Sequence, residues 1–114
     1  MSTLSLENSI TNISNLFANR LDLINIPFIN LNNITNMENV FYNCVNLSKS
    51  TYATITNMLP LASNLTNQYI SNIGLNISKF NDNQINILNS KGYVDAIYVP
   101  KLTYYNIYYN TIDE

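Results

Sequence analysis

The chain has 114 residues, a formal net charge of −2 and only 11% charged residues. This length is typical of one domain. The five basic residues are scattered, whereas nucleic-acid binding needs a basic stripe that displaces counterions. No apolar run approaches the roughly 18 residues that span a bilayer, and residues 1–9 lack the regions of a secretory signal. We therefore expect no nucleic-acid partner and no membrane partner, in a soluble protein or a piece of a longer one.

One stretch of the sequence occurs twice, 24 residues apart. The ten residues ITNISNLFAN at 10–19 return as ITNMENVFYN at 34–43, and six of the ten positions are identical. This period lies in the range of leucine-rich repeats, in which each unit contributes a strand and a short helix or turn. The pattern predicts short helices at 17–19 and 37–43, with Asn12 or Ser14 as a cap. It also predicts that asparagine side chains pair from one unit to the next.

Beyond the repeats, the spacing of apolar residues predicts three helices. The first covers residues 51–59 and stops at Pro60. The second, capped by Asn64 or Thr66, runs through Ile73 and stops at Gly74. The third begins after Asn81 or Asp82 and stops at Gly92. Residues 93–99 alternate as a strand does, and residues 102–112 are rich in tyrosine and favour β structure.

The whole chain, 1–114, is predicted to form a single α+β domain. Residues 10–50 hold the two leucine-rich-type repeats, and residues 51–114 form a helical cap with a tyrosine-rich β tail. The expected fold is a short leucine-rich-repeat solenoid closed by this helical and β C-terminal segment.

The second repeat carries a further pattern, NMENVFYNCVNL at residues 36–47. It resembles the BspA-like leucine-rich repeats of bacterial surface proteins, mycoplasma repeat proteins and bacteriophage structural or tail proteins. The first repeat departs from the pattern, with Arg20 at the position of Cys44 and Leu16 in the aliphatic position. Residues 62–93 also look like the helical segment that closes such arrays in phage-encoded proteins. The resemblance implies adhesion or virion structure, and it supplies no catalytic residues.

The sequence offers little for catalysis. It has no histidine, the usual general base near neutral pH, and its seven acidic residues are dispersed. Asp22 and Glu38 fall on neighbouring repeats, where a solvated surface pair is a better interpretation than a catalytic dyad. The single cysteine, Cys44, is predicted to be a buried, inert thiol. We therefore expect no enzyme, no metal and no cofactor.

The tyrosine-rich tail is the candidate binding site. Tyrosine gives a large contact area with a polar tip and is enriched at interfaces. The alternative is that one face of the tail packs on the helices and the other is a half-wet edge. The candidate partner-binding residues are Tyr104, Tyr105, Tyr108 and Tyr109.

The number of repeats also favours partners. Roughly three units are usually needed to bury a continuous core, and this chain has two clear ones. The helical segment covers one end, so either residues 1–9 cap the other end or another chain stacks there. The expected function is a non-enzymatic bacteriophage virion structural or adhesion component, acting as a homo-oligomer or with other virion proteins. The alternative is a fragment of a bacterial surface leucine-rich-repeat adhesin that binds host protein or glycan at the cell surface.

Overall fold

A computed structural model describes residues 4–65 and 68–95. Its helices are α1 (Lys49–Met58), α2 (Ile70–Ile73) and α3 (Asp82–Ser90), with short 3₁₀ helices at Leu59–Leu61 and Ile77–Lys79. A two-stranded parallel sheet pairs β1 (Leu4–Ser5) with β2 (Ile29–Asn30). The predicted helix at 51–59 is confirmed as α1, and the left-handed Gly74 ends α2 as expected.

The two repeats lie side by side and in register. Backbone amides of the first repeat (residues 10–33) donate to carbonyls 23 residues later in the second repeat (residues 34–50). The four N–H···O distances are 2.8–3.0 Å, for Ile13 to Asn36, Asn15 to Glu38, Phe17 to Val40, and Asn19 to Tyr42. A bridge between Asn12 and Asn36 lies in the same ladder. The sequence period is thus the spacing of two adjacent backbone segments, while the leucine-rich-repeat solenoid stays a prediction.

The helices predicted at 17–19 and 37–43 are wrong, because the structure has consecutive turns there. Four asparagines adopt the left-handed backbone conformation, with φ of 62° at Asn15, 65° at Asn19, 56° at Asn39 and 60° at Asn43. A right-handed helix does not accommodate such residues, and asparagine tolerates this conformation better than other residues with a side chain. The repeated asparagines therefore specify turns.

Replacing Asn15 distinguishes this backbone role from a side-chain role. We expect Asn15→Gly to leave the free energy of unfolding almost unchanged, because glycine adopts positive φ without strain. Asn15→Ala is expected to lower it by about 1 kcal/mol, because a Cβ atom is disfavoured in the left-handed region. Urea unfolding followed by circular dichroism measures both values. Equal losses in the two variants would show that the amide side chain matters instead.

Asparagine side chains also connect the repeats, as predicted. Asn43 Nδ2 donates to Asn19 Oδ1 at 3.3 Å across the repeat boundary. Within each repeat, the side chain of Asn12 or Asn36 accepts from the amide two residues later at 2.9 Å. The proposed capping role of Asn12 is therefore fulfilled at the start of a turn and not at the start of a helix.

The N-terminal segment covers only part of the first repeat. Leu4 and Ser5 of β1 align with Ile29 and Asn30 of β2. Further along, Asn33 Nδ2 donates to Asn8 Oδ1 at 3.1 Å. The described N-terminal residues therefore stack on residues 29–33, and their hydrogen bonds stop short of the turns at 13–19.

Helix α1 is fixed to the first repeat at its N-terminus. The Ser48 side chain accepts from the Thr51 amide and caps the helix. Thr51 Oγ1 in turn donates to the Ile24 carbonyl at 2.9 Å and accepts from the Ile26 amide at 3.3 Å. Because Thr51 is buried, these bonds satisfy a hydroxyl that would otherwise be costly to bury.

The far side of the second repeat is covered by α2. The amide of Asn39 donates to the Asn72 carbonyl at 2.8 Å, and that of Phe41 donates to the Ile73 carbonyl at 3.0 Å. Downstream, Asn81 and Gln84 form a capping box at the start of α3, which confirms Asn81 as the predicted cap. Residues 93–95 are not a strand, and the rest of the predicted β region lies outside the described residues.

The core runs from the repeats into the helical segment. Phe41 is 1% exposed, and its ring stacks on that of Phe17 with centroids 5.8 Å apart. In the helical part, the Tyr52 and Phe80 rings meet edge to face at 4.9 Å. The Tyr93 hydroxyl donates to the Leu59 carbonyl at 2.7 Å. The same apolar core therefore joins both parts of the described chain.

Candidate functional site

The tyrosines predicted to bind a partner lie outside the described residues. Those residues are Tyr104, Tyr105, Tyr108 and Tyr109. In the described part of the chain, the groups that could form a site are the ionisable side chains, the thiol of Cys44 and the exposed faces of the repeats.

Arg20 and Asp22 form an exposed ion pair on the first repeat. Arg20 Nε and Nη2 each donate to a different oxygen of the Asp22 carboxylate at 2.9 Å. This pairing raises the pKa of Arg20 and lowers that of Asp22. Asp22 therefore bonds to Arg20, the first-repeat residue at the position of Cys44. An exposed ion pair of this kind contributes little to stability.

The described residues, 4–65 and 68–95, contain neither a cluster of metal-binding side chains nor a membrane-spanning helix. In these ranges no three His, Cys, Asp or Glu side chains are placed to hold a metal ion. None of the helices there is long and apolar enough to cross a bilayer.

Cys44 is buried, as the sequence predicts. It is 5% exposed, and its Sγ donates to the Phe17 carbonyl at 3.0 Å. Burial raises the pKa of the thiol. Because the thiolate is the reactive form of cysteine, this environment suits a packing residue better than a nucleophile.

Buried weak acids make the fold sensitive to alkaline pH. Burial raises the pKa of Cys44, Tyr52 and Tyr93 above their ordinary values. The unfolded chain therefore loses these protons at a lower pH than the folded chain does. The contribution of these groups to the free energy of unfolding is fully present at a pH below their pKa values in the unfolded chain. It is lost as the pH rises through their pKa values in the folded chain.

We expect the urea midpoint to be unaffected by these groups up to about pH 8 and to fall above about pH 9. Tyr93→Phe is the matched variant, since it removes one of the three hydroxyl or thiol groups. Its stability at neutral pH is expected to be lower because the bond to the Leu59 carbonyl is lost. Its decline between pH 9 and 11 is expected to be shallower than that of the parent chain. An identical decline would contradict the role of Tyr93.

The first repeat has an edge of backbone carbonyls that faces away from the second repeat. In the second repeat, the carbonyls of Asn36, Glu38, Val40 and Tyr42 point toward the first and accept its amides. The matching carbonyls 24 residues earlier point the same way, because both repeats share the same turns. Among residues 4–65 and 68–95, no backbone amide donates to these carbonyls, which belong to Asn12, Ser14, Leu16 and Ala18. We refer to these four carbonyls as the open edge.

Apolar side chains of the first repeat are exposed beside this edge. Ile10 is 36% exposed, whereas its counterpart Ile34 in the second repeat is 1% exposed. Leu16 is 49% exposed, whereas its counterpart Val40 is fully buried. Within residues 4–65 and 68–95, the turns of the second repeat have a neighbour on both sides, whereas the turns at 13–19 have one only on the side of the second repeat. We refer to the open edge with Ile10 and Leu16 as the open face.

A third pair of matching positions shows that exposure at the open face depends on stacking. Leu21 is 54% exposed, and its counterpart Val45 is 68% exposed although the second repeat is covered on both sides. Position 21 therefore points away from the stack, and its exposure does not mark a missing neighbour. Aligning the two repeats in the sequence could not distinguish positions that a neighbouring repeat would cover from positions that point away from the stack. All three positions are apolar in both repeats.

No family model, curated protein or solved structure matches this chain. The resemblance of residues 36–47 to BspA-like repeats therefore stays a prediction. The open face combines exposed apolar side chains with carbonyls that accept no backbone amide of the described residues, and it is the candidate functional site.

Proposed function

We propose that this chain is a non-enzymatic structural or adhesion component of a bacteriophage virion, built as a short repeat array and acting through protein–protein contacts. The observation that carries the proposal is the open face of the first repeat. Apolar side chains that are buried in the second repeat are exposed in the first, and carbonyls that accept amides in the second repeat accept none from the described residues in the first. Such a combination is typical of a surface that another polypeptide covers.

The chemistry of the described residues supports this proposal. The buried thiol has a raised pKa, and the close ion pair is exposed to solvent. Asparagine side chains are used to shape turns and to join the repeats. These groups serve the architecture of the chain, which suits a structural component. The virion location rests on the resemblance of the second repeat to phage structural repeats.

The experiment is quantitative mass spectrometry of phage particles purified on a density gradient from a lysate of the source that encodes the chain. We expect the protein in the particle fraction at a fixed number of copies per particle. The free chain at the top of the gradient serves as the internal control. Recovery of the protein only in the soluble fraction, or only on the bacterial cell surface, would overturn the proposal.

A further inference from the structure

Over its turns, residues 13–19 or 37–43, each repeat has a donor side and an acceptor side. The amides of residues 13, 15, 17 and 19 all donate toward the second repeat. The alternate amides are used within the first repeat. Leu16 donates to the Ile13 carbonyl, Ala18 to that of Asn15, and Arg20 to that of Phe17. Ser14 donates to the Asn12 side chain. Over residues 13–19, the open edge therefore presents acceptors without donors. Just before these turns the direction reverses, because the Thr35 and Asn36 amides of the second repeat donate to the Thr11 carbonyl at 2.7 and 3.3 Å. The matching amides of Thr11 and Asn12 therefore face the open side.

This asymmetry restricts what can cover the edge. A second copy placed with its own open edge against this one would oppose carbonyls to carbonyls, which leaves buried acceptors without donors. A regular β-strand has both amides and carbonyls along each edge, so its carbonyls would also face the open edge. The matching partner presents amides at every second residue opposite the open edge, a carbonyl opposite the amides of Thr11 and Asn12, and apolar side chains beside them.

The donor side of the second repeat has these properties but is already occupied. Its amides at Asn39 and Phe41 donate to the carbonyls of Asn72 and Ile73. Another copy of this chain therefore does not offer a free donor side at this position.

We propose that the open face binds a repeat of the same turn type that belongs to a different polypeptide and ends with its donor side uncovered. The proposal rests on the proposed function, since it names the partner of the same face. In the complex, four backbone amides of the partner repeat donate to the carbonyls of the open edge. Four amides of the first repeat donate to carbonyls of the second repeat in the same way. The partner also covers Ile10 and Leu16, as the first repeat and α2 enclose Val40.

A synthetic peptide with the sequence of residues 10–33, acetylated and carrying a fluorophore at its C-terminus, is a suitable probe. It has the donor side and no covering segment. Titration of the peptide with the full chain, followed by fluorescence anisotropy, is expected to give saturable binding with one peptide per chain. Absence of binding at millimolar chain concentration would overturn the proposal.

Two leucine variants separate the open face from the rest of the surface. Leu16→Lys places a charge in the proposed contact and is expected to weaken peptide binding at least tenfold. Leu21→Lys is the matched control, because Leu21 is equally exposed but points away from the stack. It is expected to change binding less than twofold. Equal weakening by both variants would overturn the proposal, and circular dichroism verifies that both fold.

A second measurement does not depend on the free peptide. Inserting a copy of residues 10–33 between Ser9 and Ile10 supplies a third repeat within one chain. We expect the melting temperature to rise by about 5 °C or more, because the new amides and apolar side chains cover the former open face. An unchanged or lower melting temperature would count against the proposal.

The two proposals fail in different ways. If the Leu16 and Leu21 variants behave as expected but purified particles lack the protein, the proposed interface is supported and the proposed virion function is overturned. If particles contain the protein but the peptide does not bind, the proposed function is supported and the proposed partner is overturned.

Discussion

Phe41→Ala is expected to lower the free energy of unfolding by about 3–5 kcal/mol, the usual cost of deleting a buried aromatic ring. Phe41 is 1% exposed, and its amide donates to the Ile73 carbonyl while its ring stacks on Phe17. The residue lies where the first repeat, the second repeat and α2 meet. The cavity left by the ring would therefore weaken three packed segments together. Urea unfolding followed by circular dichroism measures the loss.

Phe17→Ala is the matched control, because Phe17 occupies the same position in the first repeat but is only half-buried. Its loss is expected to be clearly smaller, since less apolar surface returns to water and less cavity forms. Equal losses in the two variants would show that the first repeat is as fully covered as the second. An unchanged midpoint for Phe41→Ala would contradict the packing of the repeats.

The sequence predicts the pairing of the repeats well and their local conformation poorly. The 24-residue period, read from identical residues such as Phe17 and Phe41, places the two segments side by side. The same residues do not form helices, because Asn15 and Asn39 adopt positive φ. A period reports which residues are equivalent. It does not report the backbone angle at each one, and asparagine is compatible with both a cap and a left-handed turn.

Helix boundaries in the C-terminal part follow from local signals. Asn81 and Gln84 have the spacing of a capping box, and both of their mutual bonds form. Gly74 and Gly92 have positive φ where the sequence places helix ends. These signals act over a few residues, so they can be read without knowledge of the tertiary structure. The second helix is shorter than expected, with bounds Ile70–Ile73.

The candidate site could not be predicted from residue types alone. Ile10 and Leu16 look like core residues in the sequence, as their counterparts Ile34 and Val40 are in the structure. Their exposure depends on which repeat has a neighbour on each side. The acceptor character of the open edge likewise depends on backbone direction, which side-chain chemistry does not specify. From the sequence, one can expect only that a stack of two repeats leaves one end to be covered.

Gly74→Ala is expected to lower the free energy of unfolding by about 2–5 kcal/mol. Two separate effects contribute. Gly74 has a φ of 95°, and a Cβ atom in the left-handed region costs roughly 1–2 kcal/mol. The added Cβ would also lie 2.5 Å from the Tyr42 nitrogen and 2.7 Å from the Tyr42 Cα, and such overpacking costs about 1–3 kcal/mol. The atoms in the way are backbone, so rotation of a side chain does not relieve the contact.

Gly92→Ala isolates the first of these effects. Gly92 has a φ of 84°, but a Cβ atom built there has no heavy atom within 4 Å. Its replacement is expected to cost about 1–2 kcal/mol, from backbone strain alone. The difference between the two variants in urea unfolding then measures how closely the turn after α2 approaches the second repeat. If the two losses were equal, the second repeat would have room to move away from Gly74, and the tight stacking of this turn on Tyr42 would be disproved.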